Sequence, residues 1–344
     1  MNIKILPGKK KIIIIGAGNF GTCLAQHFAS KGYEILIYAR SKSVVESINK
    51  YHCNPKYLCG HVLSRNIHAT EAITSNEIHN SIAVVISIPT QFLRSVLLDL
   101  KEHINGECLL LNTAKGLENL TLFTPSEIIC DVLGDDFRNR VITLSGPSFA
   151  EELIEHQPTC VSIAGKDPEL LHSIQILCHT PFFRTYTSKD QLGLEIAGAL
   201  KNVIAIAAGA CVGLGYQQNS LASLITRGLA EITRIGVSVG ADPLTFSGLS
   251  GIGDLILSCT SHKSRNFSVG YQIGQGTPIS NVIDNLTSVA EGIPTTESAY
   301  MLTKKFDIDA PITEQVYFVL FKSKNIKNAV QFLINRDPKP ELTF

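Results

Sequence analysis

The segment KIIIIGAGNFG, residues 11–21, joins a short run of isoleucines to three glycines with the spacing G-x-G-x-x-G. Consecutive isoleucines are typical of a strand that is covered on both faces. Gly16 permits a tight turn, Gly18 lets backbone approach a pyrophosphate, and Gly21 lets the next helix pack closely. That helix directs free N–H groups at the phosphates. The segment therefore predicts a dinucleotide-binding turn, with a purely structural strand-to-helix turn as the alternative.

The rest of the first half alternates between two patterns. Apolar, β-branched runs recur at residues 11–15, 34–38, 83–88, 108–112, 141–144 and 160–164, and helical spacing occurs between several of them, as at 22–31 and 91–100. Such alternation predicts an α/β fold with a parallel sheet. From about Gln191 the strand-like runs stop, and helical spacing occupies 192–210, 220–239, 269–275 and 312–321. We therefore predict an α/β first half and a helical second half.

Composition narrows the class of partner. The 344 residues contain 30 Lys and Arg against 30 Asp and Glu, so no net charge favours nucleic acid or an anionic membrane. Nine scattered cysteines lack metal-site spacing and indicate free thiols in a reducing compartment. The longest apolar run, 203–216, has 14 residues, short of the roughly 20 that span a bilayer. We expect a cytoplasmic protein with no nucleic-acid partner, no membrane span and no bound metal.

Three segments after predicted strands carry candidate ligand-binding residues. The second strand ends in YAR, so Arg40 stands where an acid often holds the adenosine ribose hydroxyls. An arginine there suits the 2′-phosphate of NADP, or it is an ordinary surface residue. Lys115, in AKGLE, either faces a phosphate or carbonyl or is an ordinary exposed lysine. In SGPSFA, Ser148 is predicted to cap a helix that begins near Phe149.

The second half adds two more candidates. Lys201 lies in an unusually apolar helix, GLEIAGALKNVIAIAAGA, where an unpaired buried ammonium would be costly. The lysine either extends to solvent or has a lowered pKa and serves as a general acid and base. Asp254, in SGIGDL, is read most simply as a helix N-cap. Ten residues on, Ser264, Arg265 and Asn266 suit phosphate recognition or form a polar surface loop.

Together these segments resemble the NAD(P)-dependent glycerol-3-phosphate dehydrogenases of the soluble bacterial type. The matching stretches are GAGNFG, AKGLE, SGPSFA, ALKNVIAIAAG, NSLASLITRGLAE, SGIGDL, SRN, VAEG and PITEQVY, between residue 11 and about residue 320. The resemblance implies an N-terminal Rossmann domain with a doubly wound sheet, residues 1–190, and an all-helical C-terminal domain, residues 191–344. It also implies a homodimer that reversibly reduces dihydroxyacetone phosphate to sn-glycerol 3-phosphate for phospholipid synthesis.

The resemblance also implies roles for individual residues. Lys201 falls on the proton donor and acceptor, Lys115 falls on a lysine that contacts cofactor and substrate, and Asp254 would hold Lys201 in place. The implied cofactor-binding residues are Gly16, Gly18, Asn19, Phe20, Gly21, Arg40, Lys115, Ala150, Arg265, Val289 and Glu291. The implied substrate-binding residues are Lys115, Gly146, Ser148, Lys201, Asp254, Ser264, Arg265 and Asn266.

The cofactor and the substrate class remain to be chosen. Both NAD and NADP are expected, with NADP preferred, because YAR has no carboxylate and Lys42 could add a second positive charge. One alternative function is a related dehydrogenase of another hydroxyacid or phosphorylated substrate, although the SRN stretch favours a small phosphate ester. Another is a nucleotide-sensing module without turnover, although a sensor needs no proton relay of the kind that Lys115 and Lys201 suggest.

Overall fold

The computed structural model describes residues 10–104, 108–286, 288–338 and 340–341. Within them, one eight-stranded sheet has the order β3-β2-β1-β4-β5-β6-β7-β8. Its strands are β1 (Lys11–Ile15), β2 (Glu34–Tyr38), β3 (Ile67–Thr70), β4 (Ser81–Ile86), β5 (Leu110–Asn112), β6 (Val141–Ser145), β7 (Thr159–Ala164) and β8 (Phe183–Ser188). The order of the first six strands is that of a doubly wound Rossmann sheet, which confirms the predicted fold class.

Helices cover both faces of this sheet. They are α1 (Asn19–Ser30), α2 (Lys42–Tyr51), α3 (Ser75–His79), α4 (Thr90–Leu100), α5 (Pro125–Leu133), α6 (Ala150–Ile154) and α7 (Pro168–Cys178), with a 3₁₀ helix at Asp135–Asn139. The isoleucines of β1 show how the two layers are held. Ile12 and Ile14 pack into one apolar cluster and Ile13 and Ile15 into another, and all four are fully buried. A strand covered on both faces is therefore apolar at every position.

The sheet differs from the sequence-based expectation at its edges. Strand β7 runs antiparallel to β6, and β3 and β8, which were not predicted, are the two edge strands. Both edge strands contain few apolar residues, since β3 reads IHAT and β8 reads FRTYTS. In each of them, exposed positions alternate with buried ones. An edge strand needs no continuous apolar run, because neighbouring structure does not cover it completely.

The regular elements described beyond Ser188 are helical. They are α8 (Gln191–Gly213), α9 (Gln218–Ser238), α10 (Asp254–Cys259), α11 (Arg265–Gly274), α12 (Ile279–Asp284), α13 (Gly292–Lys305), α14 (Pro311–Phe321) and α15 (Ile326–Ile334), with a 3₁₀ helix at Pro243–Ser247 and a π-helical turn at Leu249–Gly253. By length and composition α8 could cross a membrane, since an 18-residue window has a mean hydropathy of 1.7. However, 83% of that window is buried inside the protein, as in a core helix. The helical spacing over 192–210 predicted this helix to within three residues at either end, whereas the 14-residue apolar run 203–216 covers only its second half.

Candidate active site

The three glycines form a turn with a bare backbone face. Gly16 has a φ of +113°, and a Cβ there would collide with the Ser87 carbonyl oxygen. A Cβ on Gly21 would collide with the carbonyl oxygen of Gly16, so the start of α1 can pack there only without a side chain. By contrast, a Cβ on Gly18 would meet nothing within 4 Å. Gly18 is also the N-cap residue of α1, so no side chain accepts hydrogen bonds from the first N–H groups of this helix. The first turn of α1 has no acidic residue. This open, acid-free turn fits a pyrophosphate.

A cleft of about 490 Å³ brings most of the predicted residues together. Its walls come from the carboxyl edge of the sheet and from α8, α11 and the segment before α13. The predicted residues that line it are Gly16, Gly18, Asn19, Phe20, Arg40, Lys115, Ser148, Ala150, Lys201, Ser264, Arg265, Asn266, Val289 and Glu291. The other three predicted residues are not part of this lining. Gly21 packs against Gly16 in the glycine turn, and Gly146 and Asp254 accept hydrogen bonds from Lys115.

A buried carboxylate joins the two predicted catalytic lysines. Asp254 is 1% exposed, and its two oxygens accept hydrogen bonds from different ammonium groups. The Lys201 Nζ donates to Oδ1 at 2.7 Å, and the Lys115 Nζ donates to Oδ2 at 2.7 Å. Lys201 also donates to the Ser258 Oγ at 2.7 Å, and Lys115 donates to the Gly146 carbonyl at 3.0 Å. Residues from the sheet edge, α8 and α10 thus form one charged cluster.

Local backbone geometry places Asp254 in this cluster. The π-helical turn before α10 bends sharply at Gly251, where a Cβ would collide with the Phe246 carbonyl oxygen. Asp254 is the first residue of α10, and the N-cap position belongs to Gly253. The N-cap interpretation of Asp254 is therefore wrong, because its carboxylate is used by the two lysines.

The environment of Lys201 shifts its proton equilibrium toward neutral pH. The side chain does not extend to solvent, since Lys201 is only 8% exposed. The pKa of Lys201 is lowered from 10.5 to about 8, chiefly by burial and also by the nearby charge of Lys115, against the opposing effects of Asp254 and Cys259. A lysine with this pKa can both give and take a proton near neutral pH. Of the two sequence interpretations, the structure favours the lowered pKa.

The Ser-Arg-Asn segment forms the opposite wall of the cleft. Ser264 caps α11, and its Oγ accepts a hydrogen bond from the Phe267 N–H at 3.3 Å. The exposed Arg265 donates from Nη1 to the Val289 carbonyl at 2.8 Å. Asn266 donates to the Asn202 Oδ1 at 2.8 Å and accepts from the Gly292 N–H at 2.9 Å. The segment is therefore an ordered helix start that presents a guanidinium to the cleft.

Two residues that sequence reasoning left without a role belong to this arrangement. Asn202, beside Lys201 on α8, donates to the Lys115 carbonyl at 3.3 Å and accepts from Asn266, so it joins the two walls. Ser258 lies one helical turn after Asp254 and contacts the same ammonium of Lys201. A polar side chain beside Lys201 was a signal for Asn202. Ser258 could have been found only from its i+4 spacing to Asp254.

Glu291 presents an unsatisfied acceptor beside the cleft. Its Oε1 accepts from the Thr90 N–H at 3.0 Å, whereas its Oε2 is buried without a hydrogen-bond partner. Burial raises the pKa of Glu291 to about 7, against the opposing effects of the Thr90 N–H and Arg265. A buried carboxyl oxygen with no donor is costly. Together with the bare glycine turn, this free acceptor fits a cofactor that carries both phosphates and hydrogen-bond donors.

The outer end of the cleft carries exposed charges. The Arg40 guanidinium lies 5.4 Å from the centroid of the Phe92 ring and lines the cleft. Lys42 begins α2, and its Nζ lies 3.9 Å from a Glu46 carboxylate oxygen, with both side chains exposed. The prediction that Ser148 caps α6 is wrong. The N-cap position belongs to Phe149, and the Ser148 Oγ donates to the Gly146 carbonyl at 3.1 Å.

The fold and the cleft define a dinucleotide-dependent oxidoreductase, and comparison with known proteins specifies its family. Residues 11–171 and 190–331 match the models of the N-terminal and C-terminal parts of NAD-dependent glycerol-3-phosphate dehydrogenase. The chain is 42% identical to glycerol-3-phosphate dehydrogenase [NAD(P)+] of Staphylococcus carnosus over 331 residues, which is 96% of this chain and 99% of that protein. The corresponding Lysinibacillus sphaericus protein is also 42% identical, over 97% of this chain and 98% of its own.

Solved structures agree with this assignment. The crystal structure of glycerol-3-phosphate dehydrogenase from Coxiella burnetii is 30% identical and superposes with a TM-score of 0.90, over 96% of this chain and 100% of that one. A D-mandelate dehydrogenase matches with a TM-score of 0.60 at 14% identity, which shows the shared fold alone. The chain belongs to the NAD-dependent glycerol-3-phosphate dehydrogenase family, and the resemblance seen in the sequence is confirmed.

Proposed function

We propose that this protein catalyses the reversible reduction of dihydroxyacetone phosphate to sn-glycerol 3-phosphate with NADPH or NADH. The observation that carries the proposal is the Lys115–Asp254–Lys201 cluster beside a cleft that starts at a glycine turn. The curated relatives named above are glycerol-3-phosphate dehydrogenases that use NAD(P)+, and they match along nearly the whole chain. The family and the chemistry of the cleft thus support the same reaction.

The chain's own residues would manage the proton and the developing charge. When bound, the reduced nicotinamide cofactor supplies the hydride that reduces the ketone carbon. Lys201 gives its proton to the ketone oxygen, and Lys115 stabilises the negative charge that grows on that oxygen. Asp254 keeps both ammonium groups at fixed positions, since each lies 2.7 Å from one of its oxygens. In the reverse direction, neutral Lys201 accepts the proton.

Residues outside the Lys115–Asp254–Lys201 cluster would hold the substrate phosphate and the cofactor. Arg265 and Asn266 anchor the phosphate, and binding energy far from the reacting carbon positions the ketone. The glycine turn holds the pyrophosphate, and Glu291 supplies a hydrogen-bond acceptor to the cofactor. Arg40 favours the 2′-phosphate, so NADPH should be the preferred cofactor. The other residues that the resemblance implies, among them Phe20, Ala150 and Val289, keep their predicted cofactor contacts in this proposal.

Three further properties are part of the proposal. The division at residue 190 separates a cofactor domain from a helical substrate domain, which the change from strands to helices after Ser188 supports. The protein acts as a homodimer, as the family resemblance suggests, and light scattering of the purified protein tests this. It works in the cytoplasm, where it supplies phospholipid synthesis, and its nine free thiols are compatible with a reducing compartment.

The loss of NADPH absorbance tests the reaction directly. Dihydroxyacetone phosphate should be reduced, whereas unphosphorylated ketones and 2-oxoacids should react far more slowly. A phosphogluconate is an alcohol, so it is tested in the oxidative direction with NADP+, where the gain of NADPH absorbance should likewise be far slower than with sn-glycerol 3-phosphate. Preference for a 2-oxoacid would support the alternative of a related dehydrogenase. Tight NADPH binding with no turnover on any of these compounds would support a nucleotide-sensing module.

A further inference from the structure

A second buried carboxylate lies on the same helix as Lys201, outside the cleft lining. Glu195 on α8 is 2% exposed, and donors from three other elements surround it. Its Oε1 accepts from the Thr143 Oγ1 at 2.7 Å, from the Ser126 N–H at 3.1 Å and from the Asn112 Nδ2 at 3.3 Å. Its Oε2 accepts from the Ser126 Oγ at 2.7 Å. Glu195 therefore fastens α8 to β5, to β6 and to the start of α5.

One branch of this network leads to Lys115. Asn112 is the last residue of β5, and its Oδ1 accepts from the Ala114 N–H at 3.1 Å. The amide group of Asn112 thus joins Glu195 to the backbone one residue before Lys115. On the far side of the same loop, Asn202 of α8 donates to the Lys115 carbonyl. The loop that carries Lys115 is consequently held by α8 at two points.

We infer that Glu195 is a positioning residue, which through Asn112 sets the place of the Lys115 ammonium relative to Asp254 and Lys201. The inference rests on the proposed function for its catalytic consequence. The Glu195 carboxylate accepts from two amide groups, the Ser126 N–H and the Asn112 Nδ2, and from the hydroxyls of Ser126, Thr143 and Thr124. Amide N–H groups can only donate, so a glutamine with its N–H₂ group at the Oε1 position would leave both of them unpaired. With its N–H₂ group at the Oε2 position, it would need the Ser126 hydroxyl to turn from donor to acceptor.

The position of Lys115 also affects the pKa of Lys201. The charged and titratable groups around Lys201 are Asp254, Lys115 and Cys259, and among these Lys115 lowers the Lys201 pKa. If the loop relaxes and Lys115 moves away from Asp254, this repulsion weakens and the Lys201 pKa rises. Cys130 on α5 also faces Glu195 but contacts neither lysine in the cleft.

Glu195→Gln tests the inference, with Glu231→Gln as a matched control. Glu231 is equally buried, at 3%, but its carboxylate accepts from Ile312 and Thr313 at the start of α14 and does not line the cleft. Glu195→Gln should lower kcat for dihydroxyacetone phosphate by up to about 100-fold, since small displacements of catalytic groups have effects of this size. It should also move the alkaline limb of the kcat–pH profile to higher pH. Glu231→Gln should reduce thermal stability and leave that limb in place.

A second variant and a structural readout separate a positioning role from a folding role. If Glu195→Gln fails to fold, Asn112→Ala removes only the branch toward the loop and should give the same alkaline shift. Crystals of the folded variant should show the Lys115 Nζ displaced from the Asp254 Oδ2, whichever substrate the enzyme uses. An unshifted limb with the Lys115–Asp254 contact intact would overturn the inference. Failure of the natural protein to reduce dihydroxyacetone phosphate would instead overturn the proposed function, and the crystals would still decide the role of Glu195.

Discussion

The two ends of the cleft contain similar charged groups in opposite environments. At the inner end, Lys201 is 8% exposed and Asp254 is 1% exposed, and the Lys201 Nζ lies 2.7 Å from the Asp254 Oδ1. At the outer end, Arg40 is exposed and contacts the face of an aromatic ring. Charges interact more strongly where water is excluded, and at 0.1 M salt exposed charges are screened over about 10 Å. The inner charges should therefore control the chemical step, and the outer charge should adjust only the choice of cofactor.

The largest effect should come from the inner ammonium. Lys201→Ala removes the proton donor and should lower kcat by about 100- to 10,000-fold, the usual contribution of a positioned acid. NADPH binding, measured by fluorescence titration, should change little. Lys304→Ala is a matched control, because Lys304 is an exposed lysine on α13 that pairs with Glu314. Near-normal kcat in Lys201→Ala would exclude the proposed role.

The carboxylate between the lysines should come next. Asp254→Asn leaves the buried Lys201 ammonium and the partly buried Lys115 ammonium without their anion. Breaking a buried ion pair typically costs about 3–5 kcal/mol of stability. Asp254 raises the Lys201 pKa, so its loss should lower that pKa and move the alkaline limb of ketone reduction to lower pH. The measurements are urea unfolding and the kcat–pH profile. A limb that moves upward would contradict the arrangement.

An intermediate effect is expected at the phosphate wall. Arg265→Ala removes a charge-assisted hydrogen bond of about 1.5–3 kcal/mol, or about 10- to 100-fold in affinity. The loss should appear chiefly as a raised KM for dihydroxyacetone phosphate. Unphosphorylated dihydroxyacetone is the control substrate, and an equal loss of activity with it would refute phosphate recognition by Arg265.

The smallest effect belongs to the outer end. The natural protein should prefer NADPH by no more than about fivefold, as befits an exposed charge, and added salt should weaken the preference. Arg40→Asp should reverse it by repelling the 2′-phosphate and accepting hydrogen bonds from a ribose hydroxyl. The readout is kcat/KM for both cofactors at low and high salt. An unchanged ratio in Arg40→Asp would mean that Arg40 is only a surface residue.

The sequence predicted those elements whose structure depends on residues that are close together in the chain. The isoleucines of β1 and the glycines that follow predicted both the strand and the turn, because burial on two faces and close backbone approach each leave a strong local pattern. The edge strands β3 and β8 were missed because partial exposure removes that pattern. Ser148 and Asp254 were both expected to cap helices, the commonest use of their side chains. Ser148 instead donates to the Gly146 carbonyl within its own turn, and Asp254 binds two lysines that are distant in sequence.

In the candidate site too, residues that belong to a sequence motif were predicted, and residues whose partners are distant in the chain were not. The motif resemblance predicted Lys115, Lys201 and Asp254 as site residues, and the structure places the Asp254 carboxylate within hydrogen-bonding distance of both lysines. The network around Glu195 gave no local signal, because its donors come from residues 112, 126 and 143, which only the folded sheet brings together. Partners far apart in sequence leave no spacing that periodicity can detect.

The pH dependence of ketone reduction by the natural protein tests most directly whether Lys201 is the proton donor. Burial of Lys201 lowers its pKa to about 8 in the free enzyme, and the ammonium is the form that gives the proton. The kcat/KM for dihydroxyacetone phosphate at saturating NADPH should therefore fall as pH rises through about 8, and glycerol 3-phosphate oxidation should rise over the same range. The limb should vanish in Lys201→Ala. Reduction that is independent of pH between 7 and 9.5, or a limb that survives in Lys201→Ala, would show that Lys201 is not the proton donor.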